Sequence, residues 1–512
     1  MTGIKKYLTS IFSLSYKNTL IALFVLFLLT RLINITTLPM FNDEATYIDW
    51  SWRMVNLEGE FFHSVKHAKP PLFMWIVGLV RNVITNPLLA GRIVSVMFGG
   101  IGTLGLYKLS KLLFNRKTAT LASLFYITIP IFVFFDRQAL METSIAACGI
   151  WSFYFFIKTL NSKMHEFAIY LGITLGVGYL IKTSAVVFAL PIFFFFVFEY
   201  VKHKDNFIKS NFFIVIFTFL TTTSPLLFSK TFWSTLSDNS RYIFTLSELF
   251  KFPIQEWVRN IGIFLSITFV YLNPLTMILS IIAIYSLLRS KEKIYYYLIA
   301  FIFAGLFFNI FIDRVTIVRH IMPFLPLVLL LAAHQLNQVS KKNKILALPL
   351  TIGLLSISLT TTFLLISKPL TYFYTLNKLT KQSQKNDYVS NWSSGYGFSE
   401  VKKFIDSESR LSPIVVGVRL DAGTPENTVF AYYAGSKKVA PVYLDSRLIA
   451  NFSEYDCIKS KYPIYFISRD NQLAGLNKHL IEIQRVYKPE NKNYIGIHKI
   501  NENCDGNVLQ LF

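Results

Sequence analysis

Long apolar stretches recur through the first 367 residues of the chain, near residues 18–38, 88–113, 119–135, 139–157, 166–181, 183–200, 211–229, 259–287, 294–312, 316–337 and 344–367. A helix needs about 17 to 25 predominantly apolar residues to cross a hydrocarbon layer, and these runs have that length. Hydrophobic residues make up 53% of the chain, 49 of its 512 residues are Phe, and the mean hydropathy is +0.45. Such a composition is too apolar for a soluble globular chain and points to a multi-pass α-helical membrane protein.

The formal net charge of +22 raises the question of nucleic acid. The cations, however, lie in short clusters between apolar runs rather than on one amphipathic face, so they read as topology signals. One segment decides the topology. Pro70-Pro71-Leu-Phe-Met-Trp-Ile-Val-Gly-Leu-Val is apolar for only about 10 to 12 residues before Arg81, short of a full crossing. If it does not cross, Lys5-Lys6, Lys108 to Lys117, Lys158 to His165, Lys202 to Lys209, Arg289 to Lys293 and Lys341 to Lys344 all fall on one side, as the positive-inside rule requires. The segment is therefore expected to be an interfacial or re-entrant helix, leaving about eleven spans. The N-terminus is then cytoplasmic, the C-terminus extracytoplasmic, and the protein sits in the cell membrane. The first apolar run continues to about Leu38 without a small-residue cleavage site and is expected to be a retained helix.

From Lys368 onward the composition turns polar and charged, with Gly, Asn and Ser punctuation. Helical patterning over Ser399 to Asp406 precedes the strand-like runs Pro413-Ile-Val-Val-Gly-Val and Tyr462-Pro-Ile-Tyr-Phe-Ile, which suggests a C-terminal soluble α/β domain. The expected division is a transmembrane domain over 1–367, including a first outer loop at 39–87, and an extracytoplasmic domain over 368–512. Three cysteines show no metal-finger spacing, and a Cys457–Cys504 disulfide is open if that region meets an oxidising compartment.

With this topology the unusual ionisable residues gather at the outer boundary. Asp43-Glu44, in LPMFNDEATYIDW, is an acidic pair that packing rarely needs there. Partial burial raises a carboxylate's pKa, so Asp43 or Glu44 suits a general base for a hydroxyl, while capping the helix that follows is the plainer role for the pair. Lys69, Arg241 and Arg319 suit a phosphate, with snorkelling to lipid headgroups as the alternative for each. Asp136 and Arg137 end one helix and Glu142 opens the next; Asp136 with Arg137 reads equally as a structural ion pair, and Glu142 as a contact to acceptor, sugar or cation. His67, Arg92, Lys182 and His320 complete the expected lining of one concave site. His67 and His320 lack metal-ligand spacing, so no metal is expected, although a divalent cation remains compatible with the carboxylates. In Tyr388-Val-Ser-Asn-Trp392-Ser-Ser-Gly395-Tyr396-Gly397 a structural turn competes with Trp392 and Tyr396 stacking on a sugar.

The order of these motifs is similar to a known group. Asp43-Glu44-Ala45-x-Tyr47, Lys69-Pro70-Pro71-Leu72 and Arg92-x-x-Ser95-x-x-x-Gly99 are followed by Arg137, Glu142, Gly176-x-x-x-Leu180-x-Lys182 and Arg319-His320-x-x-Pro323-x-x-Pro326. Over residues 18–335 the chain resembles the protein O-mannosyltransferase and aminoarabinose transferase group of GT-C glycosyltransferases, and the first two elements are the specific ones. The resemblance implies a GT-C fold and a metal-independent, inverting enzyme. Such an enzyme moves a sugar (mannose or another hexose or pentose) from a polyprenyl-phosphate donor to an acceptor hydroxyl on protein, lipid or glycan. It implies Asp43 as base and Lys69 with Arg241 on the donor phosphate; Glu142 stands where the group commonly has Asp. Two other classes fit many spans with buried charge: a lipid-sugar flippase or transporter, and a ligase or oligosaccharyltransferase-like enzyme using a lipid diphosphate. The first predicts midplane charges and repeat symmetry, and neither is evident.

Overall fold

The computed structural model describes residues 15–236, 242–444, 457–470, 472–473, 480–500 and 508–511. The chain divides into two compact units, one formed by Met1–Ile35, Phe62–Phe73 and Arg92–Lys368, the other by Thr36–Phe61, Met74–Gly91 and Pro369–Phe512.

The first unit is helical. Among the described residues seven helices are long and apolar enough to cross a membrane: Pro87–Leu113, Glu142–Asn161, Thr183–His203, Asn206–Leu227, Lys293–Ile312, Val318–Lys342 and Lys344–Ser367. Two bent pairs raise the number to nine if each is one span. The expected eleven is therefore not confirmed by length and composition. The runs near 18–38 and 166–181 do form helices, Tyr16–Leu32 and Glu166–Ile181, but these have only 17 and 16 residues. The run expected as a single span near 259–287 is instead two helices, Ile254–Tyr271 and Pro274–Arg289, bent by 112°. Asn273 stands at the break in the left-handed region at φ 72° and caps the second helix by accepting from Leu275 N, while Pro274 cannot continue the first. Pro130 likewise parts Arg116–Thr128 from Pro130–Asp136, with Ile129 forced extended and a bend of 66°.

One helix contact bears directly on the site. Gly172 and Gly176 lie one turn apart on Glu166–Ile181, and Asn206–Leu227 packs directly against them. A Cβ on Gly176 would lie 2.6 Å from Thr222 Cβ, and one on Gly172 would meet Thr218. This small-residue seam lets two apolar helices approach closely where no hydrophobic effect drives them together. It fixes the helix that ends at Lys182.

The second unit contains a five-stranded mixed sheet and a separate strand pair. Its strands are β1 (Ile414–Val418), β2 (Val439–Tyr443), β3 (Cys457–Ser460), β4 (Ile464–Arg469), β5 (Leu480–Tyr487), β6 (Tyr494–Ile500) and β7 (Val508–Leu511). The sheet order is β2-β1-β4-β6-β5, with β1 parallel to β2 and β4, and β6 antiparallel to β4 and β5; β3 pairs with β7. Both strand-like runs of the sequence lie in its centre as β1 and β4, buried along their whole length as strands covered on both faces must be. The helix Phe398–Leu411 supplies Phe398, Val401 and Ile405 to the main core, and Glu426–Tyr433 adds Val429 and Phe430. The side chain of Cys457 and all of Cys504 lie outside the described residues, so the expected disulfide has no account here.

The helix Asn42–Asn56 belongs to this second unit, and the segment Tyr388–Gly397 holds its first turn. Asn42 N donates to Ser393 O at 3.0 Å, and the Phe41 and Tyr388 rings lie 4.4 Å apart. Asn427 Nδ2 donates to Asn42 Oδ1 at 2.9 Å and to Thr46 Oγ1 at 2.7 Å. Gly395 is packed on the Met40 backbone so closely that a Cβ would collide with its carbonyl oxygen. Gly395→Ala is expected to lower the thermal unfolding midpoint by an amount worth about 1–3 kcal/mol. Gly353→Ala, at a helical glycine with open space around the added Cβ, is expected to lower it not at all.

Candidate functional site

The acidic pair divides its roles. Glu44 is fully buried, and its Oε2 accepts the Phe41 N–H at 3.0 Å, closing the start of Asn42–Asn56. Asp43, in the same first turn, keeps a part-exposed carboxylate that accepts from Asn42 Nδ2 at 3.3 Å. The cap that sequence reasoning offered to either residue thus falls to Glu44, and Asp43 is the one that solvent or a ligand reaches.

Within the first unit, Glu142 collects the cations. It is fully buried at the start of Glu142–Asn161. Its Oε1 accepts both Lys182 Nζ and Arg319 Nε, each at 3.0 Å. Lys182 sits on the C-cap of Glu166–Ile181 and Arg319 in the short helix Val318–Ile321, so three separate helix ends converge on one oxygen. Glu142 Oε2 is buried with no hydrogen-bond partner among the described residues. A bare carboxylate oxygen in such a place is costly unless a water or a ligand donor fills it. Beside Arg319, His320 Nδ1 lies 2.9 Å from Asp313 Oδ2.

Lys69 reaches the same region through Tyr242. Its Nζ lies 6.0 Å from the Tyr242 ring centre, and the backbone around Tyr242 pairs with that around Asp313: Arg314 N donates to Tyr242 O at 2.9 Å and Phe244 N to Ile312 O at 2.9 Å. The turn His63–His67 that leads into Lys69 is anchored where Val65 packs with Leu180, Leu226 and Phe232. Lys69, Asp313, His320, Arg319, Glu142 and Lys182 thereby form one connected neighbourhood. Arg241 lies outside the described residues. His67 is exposed, its ring 5.4 Å from that of His63; desolvation and then the His63 and Lys66 charges pull its pKa down, which favours the neutral ring.

Three expected site residues have structural employment. Asp136 is fully buried and pairs with Arg31, not with Arg137 as the adjacent residues suggested: Arg31 Nε and Nη2 lie 3.0 and 2.9 Å from Asp136 Oδ2. Tyr126 OH and Thr143 Oγ1 each donate to Oδ1 at 3.0 Å, so the carboxylate is saturated. Arg137 instead donates to the carbonyls of Thr30, Arg31, Ile33 and Asn34, and Arg92 to that of Ile35 at 2.6 Å. Arg137 thus satisfies last-turn carbonyls of Tyr16–Leu32 that lack helical partners, while Arg92 holds a carbonyl of the loop beyond it. Because Thr143 adjoins Glu142, the buried pair also fixes the helix start that carries the cation clamp. Sequence reasoning missed Arg31; its signal was a lone cation in the first apolar run, Leu28-Leu29-Thr30-Arg31.

Comparisons with known proteins bear on the fold and the family rather than on these side chains. Residues 68–228 match the family model described as dolichyl-phosphate-mannose-protein mannosyltransferase. The fold is similar to that of ArnT from Cupriavidus metallidurans in a structure bound to undecaprenyl phosphate, with a TM-score of 0.60 and 12% identity over 94% of this chain and 98% of that one. It is also similar to the Archaeoglobus fulgidus oligosaccharyltransferase in a complex with Zn and sulfate, with a TM-score of 0.51 and 12% identity over 88% of this chain and 67% of the other. No curated protein matches the chain by sequence. The resemblance to the GT-C group that the motifs carry is thus borne out, and the chain is a multi-pass membrane protein of GT-C fold with a C-terminal α/β domain. Asp136→Ala, which leaves Arg31 buried and unpaired, is expected to cost about 3–5 kcal/mol of stability. Arg31→Met combined with Asp136→Ala is expected to recover part of that loss, as read from thermal unfolding in detergent.

Proposed function

We propose that the protein transfers a sugar from a polyprenyl-phosphate donor to an acceptor hydroxyl at the extracytoplasmic face of the cell membrane. The observation that carries this reading is the Glu142 clamp, which holds Lys182 and Arg319 together at 3.0 Å from one carboxylate oxygen. Two cations fixed in that way, with Lys69 in the same neighbourhood, suit a phosphate. A lipid donor suits helix ends in particular, because its phosphate must stay at headgroup height while its tail remains in hydrocarbon. The match of residues 68–228 to a dolichyl-phosphate-mannose family and the fold shared with a protein bound to undecaprenyl phosphate support the same donor class.

In this mechanism the acceptor oxygen attacks the anomeric carbon while the bond from that carbon to the phosphate oxygen breaks. The phosphate leaves with the bonding electrons, and Asp43 takes the acceptor proton. Attack opposite the leaving group inverts the anomeric centre. Lys69, Arg319 and Lys182, with Arg241 as a further candidate, would neutralise the charge that grows on the departing phosphate. Glu142 acts as a positioning residue for two of these cations, and its unpartnered Oε2 is available to a sugar hydroxyl. The transferred unit is a hexose or pentose, mannose among them, and the acceptor a protein, lipid or glycan. The fold shared with an oligosaccharyltransferase keeps a lipid-diphosphate donor as the second reading.

Purified protein supplied with polyprenyl-phosphate sugars is expected to turn over at least one of them. Asp43→Asn is expected to lower kcat by about 10²–10⁴-fold, the usual contribution of a general base. Arg319→Met is expected to lower kcat/KM by about 10²–10³-fold, as loss of one charge-stabilising donor does. Equal turnover by Asp43→Asn would remove the base assignment. Turnover of a lipid-diphosphate oligosaccharide with none of any monophosphate sugar would replace the donor assignment.

A further inference from the structure

The segment Tyr388–Gly397 does more than hold the first turn of Asn42–Asn56. Trp392 remains 45% exposed, although its backbone carbonyl accepts from Thr424 N and its neighbours Ser393 and Ser394 are buried. It stands at the edge of a solvent-open recess of about 90 Å³ in the second unit, lined also by Asn391, Arg469, Lys488, Asn493 and Tyr494. The elements that build it are well tied. Lys488 is 1% exposed, and its Nζ donates to the carbonyls of Asn391 and Ser394 at 2.9 Å each. Arg469 donates from Nε to Glu426 Oε1 at 2.8 Å and from Nη2 to Asp421 Oδ2 at 2.7 Å, with its guanidinium 5.9 Å from the Trp392 ring centre. Asn493 Nδ2 donates to Ser390 O at 2.7 Å.

Each of these side chains keeps capacity in reserve. An ammonium has three N–H donors, and among the described residues two of those on Lys488 have protein acceptors. Among the described residues Arg469 Nη1 has no acceptor and Asn493 Oδ1 no donor. Asp470, which also lines the recess, sits in the left-handed region at φ 44° and accepts from Tyr494 N at 2.8 Å. Asp is one of the few non-glycine residues that adopt this conformation readily, its side chain bonding nearby backbone as it does here. An aromatic face beside interleaved donors and acceptors matches a sugar ring, which has an apolar C–H face and a rim of hydroxyls that both donate and accept. The charges argue against an anion, since Asp421 and Glu426 pair with Arg469 from behind and Asp470 lines the recess beside Lys488. The polar lining argues against a lipid tail, and a sugar ring would rest on Trp392 at the mouth of the open recess rather than sink into its 90 Å³.

We propose that this recess is a binding subsite for one neutral monosaccharide unit, distinct from the donor-phosphate site and independent of the role given to Asp43. A glycan acceptor, or the sugar end of a glycolipid, would present such a unit.

Saturation-transfer NMR on the full chain in lipid nanodiscs, with methyl glycosides of mannose, glucose, galactose and N-acetylglucosamine, tests this. At least one glycoside is expected to receive ring-proton saturation with a Kd in the range of about 1–10 mM, as suits so small a contact. Trp392→Ala, at an exposed side chain, is expected to weaken it at least about tenfold without moving the unfolding midpoint, and Asn493→Ala to weaken it as well. Binding that Trp392→Ala removes and Asp43→Asn leaves intact separates the recess from the proposed donor site. No saturation of any glycoside, undiminished binding by Trp392→Ala, or displacement by inorganic phosphate would each overturn the assignment.

Discussion

A carboxylate buried among apolar helices is tolerable only when cations share it, and Glu142 between Lys182 and Arg319 is where three helix ends meet on those terms. Its position depends in turn on a second buried pair, Arg31 with Asp136, whose network takes in Thr143 next door. The two pairs differ in one respect that separates scaffold from site. Both Asp136 oxygens are filled by Arg31, Tyr126 and Thr143, whereas Glu142 keeps one buried oxygen bare. A saturated polar group can rest in a membrane interior, whereas a buried oxygen left bare has room for a water or a ligand hydroxyl.

The same distinction explains how much of the molecule the sequence discloses. Apolar runs located the long helices, because length and hydropathy are local properties, but not short ones such as Lys230–Leu236 and Pro369–Leu379. The break at Asn273-Pro274 was equally local, but a continuous run of apolar residues around it read as one span rather than two bent helices. In the C-terminal half, the runs that became β1 and β4 were evident as buried strands, whereas the order β2-β1-β4-β6-β5 depends on pairings that no short window encodes. Among candidate site residues, sequence identified the ionisable side chains but not their partners. Asp136 and Arg137 are adjacent in the chain, yet Asp136 reaches back 105 residues to Arg31 and Arg137 caps the carbonyls just beyond it. Arg137, taken from the motif as site-lining, caps the first helix, and Arg92 holds the Ile35 carbonyl just past its end. Glu44 followed the plainer of its two readings, since an acid three residues past a helix start satisfies an otherwise stranded N–H.

The segment Tyr388–Gly397 carries both readings that its composition allowed. Its serines and glycines make a turn that grips Asn42, and this is the structural role that Ser393 and Gly395 serve. Trp392, pointing away from that task, is half exposed beside a polar recess. A single loop can do both because alternate side chains leave it in different directions. The helix that bears Asp43 and the recess that suits a sugar therefore share one supporting element within the second unit.

The account stands on the claim that the cations gathered by Glu142 bind the phosphate of a polyprenyl lipid. Native mass spectrometry of the detergent-purified protein with added undecaprenyl phosphate measures this without turnover. The account predicts one bound lipid in the wild-type chain and binding weaker by at least about tenfold when Lys182→Met and Arg319→Met are combined, as the loss of two charge-assisted contacts requires. Equal binding by wild type and the double variant, with both folded, would contradict it.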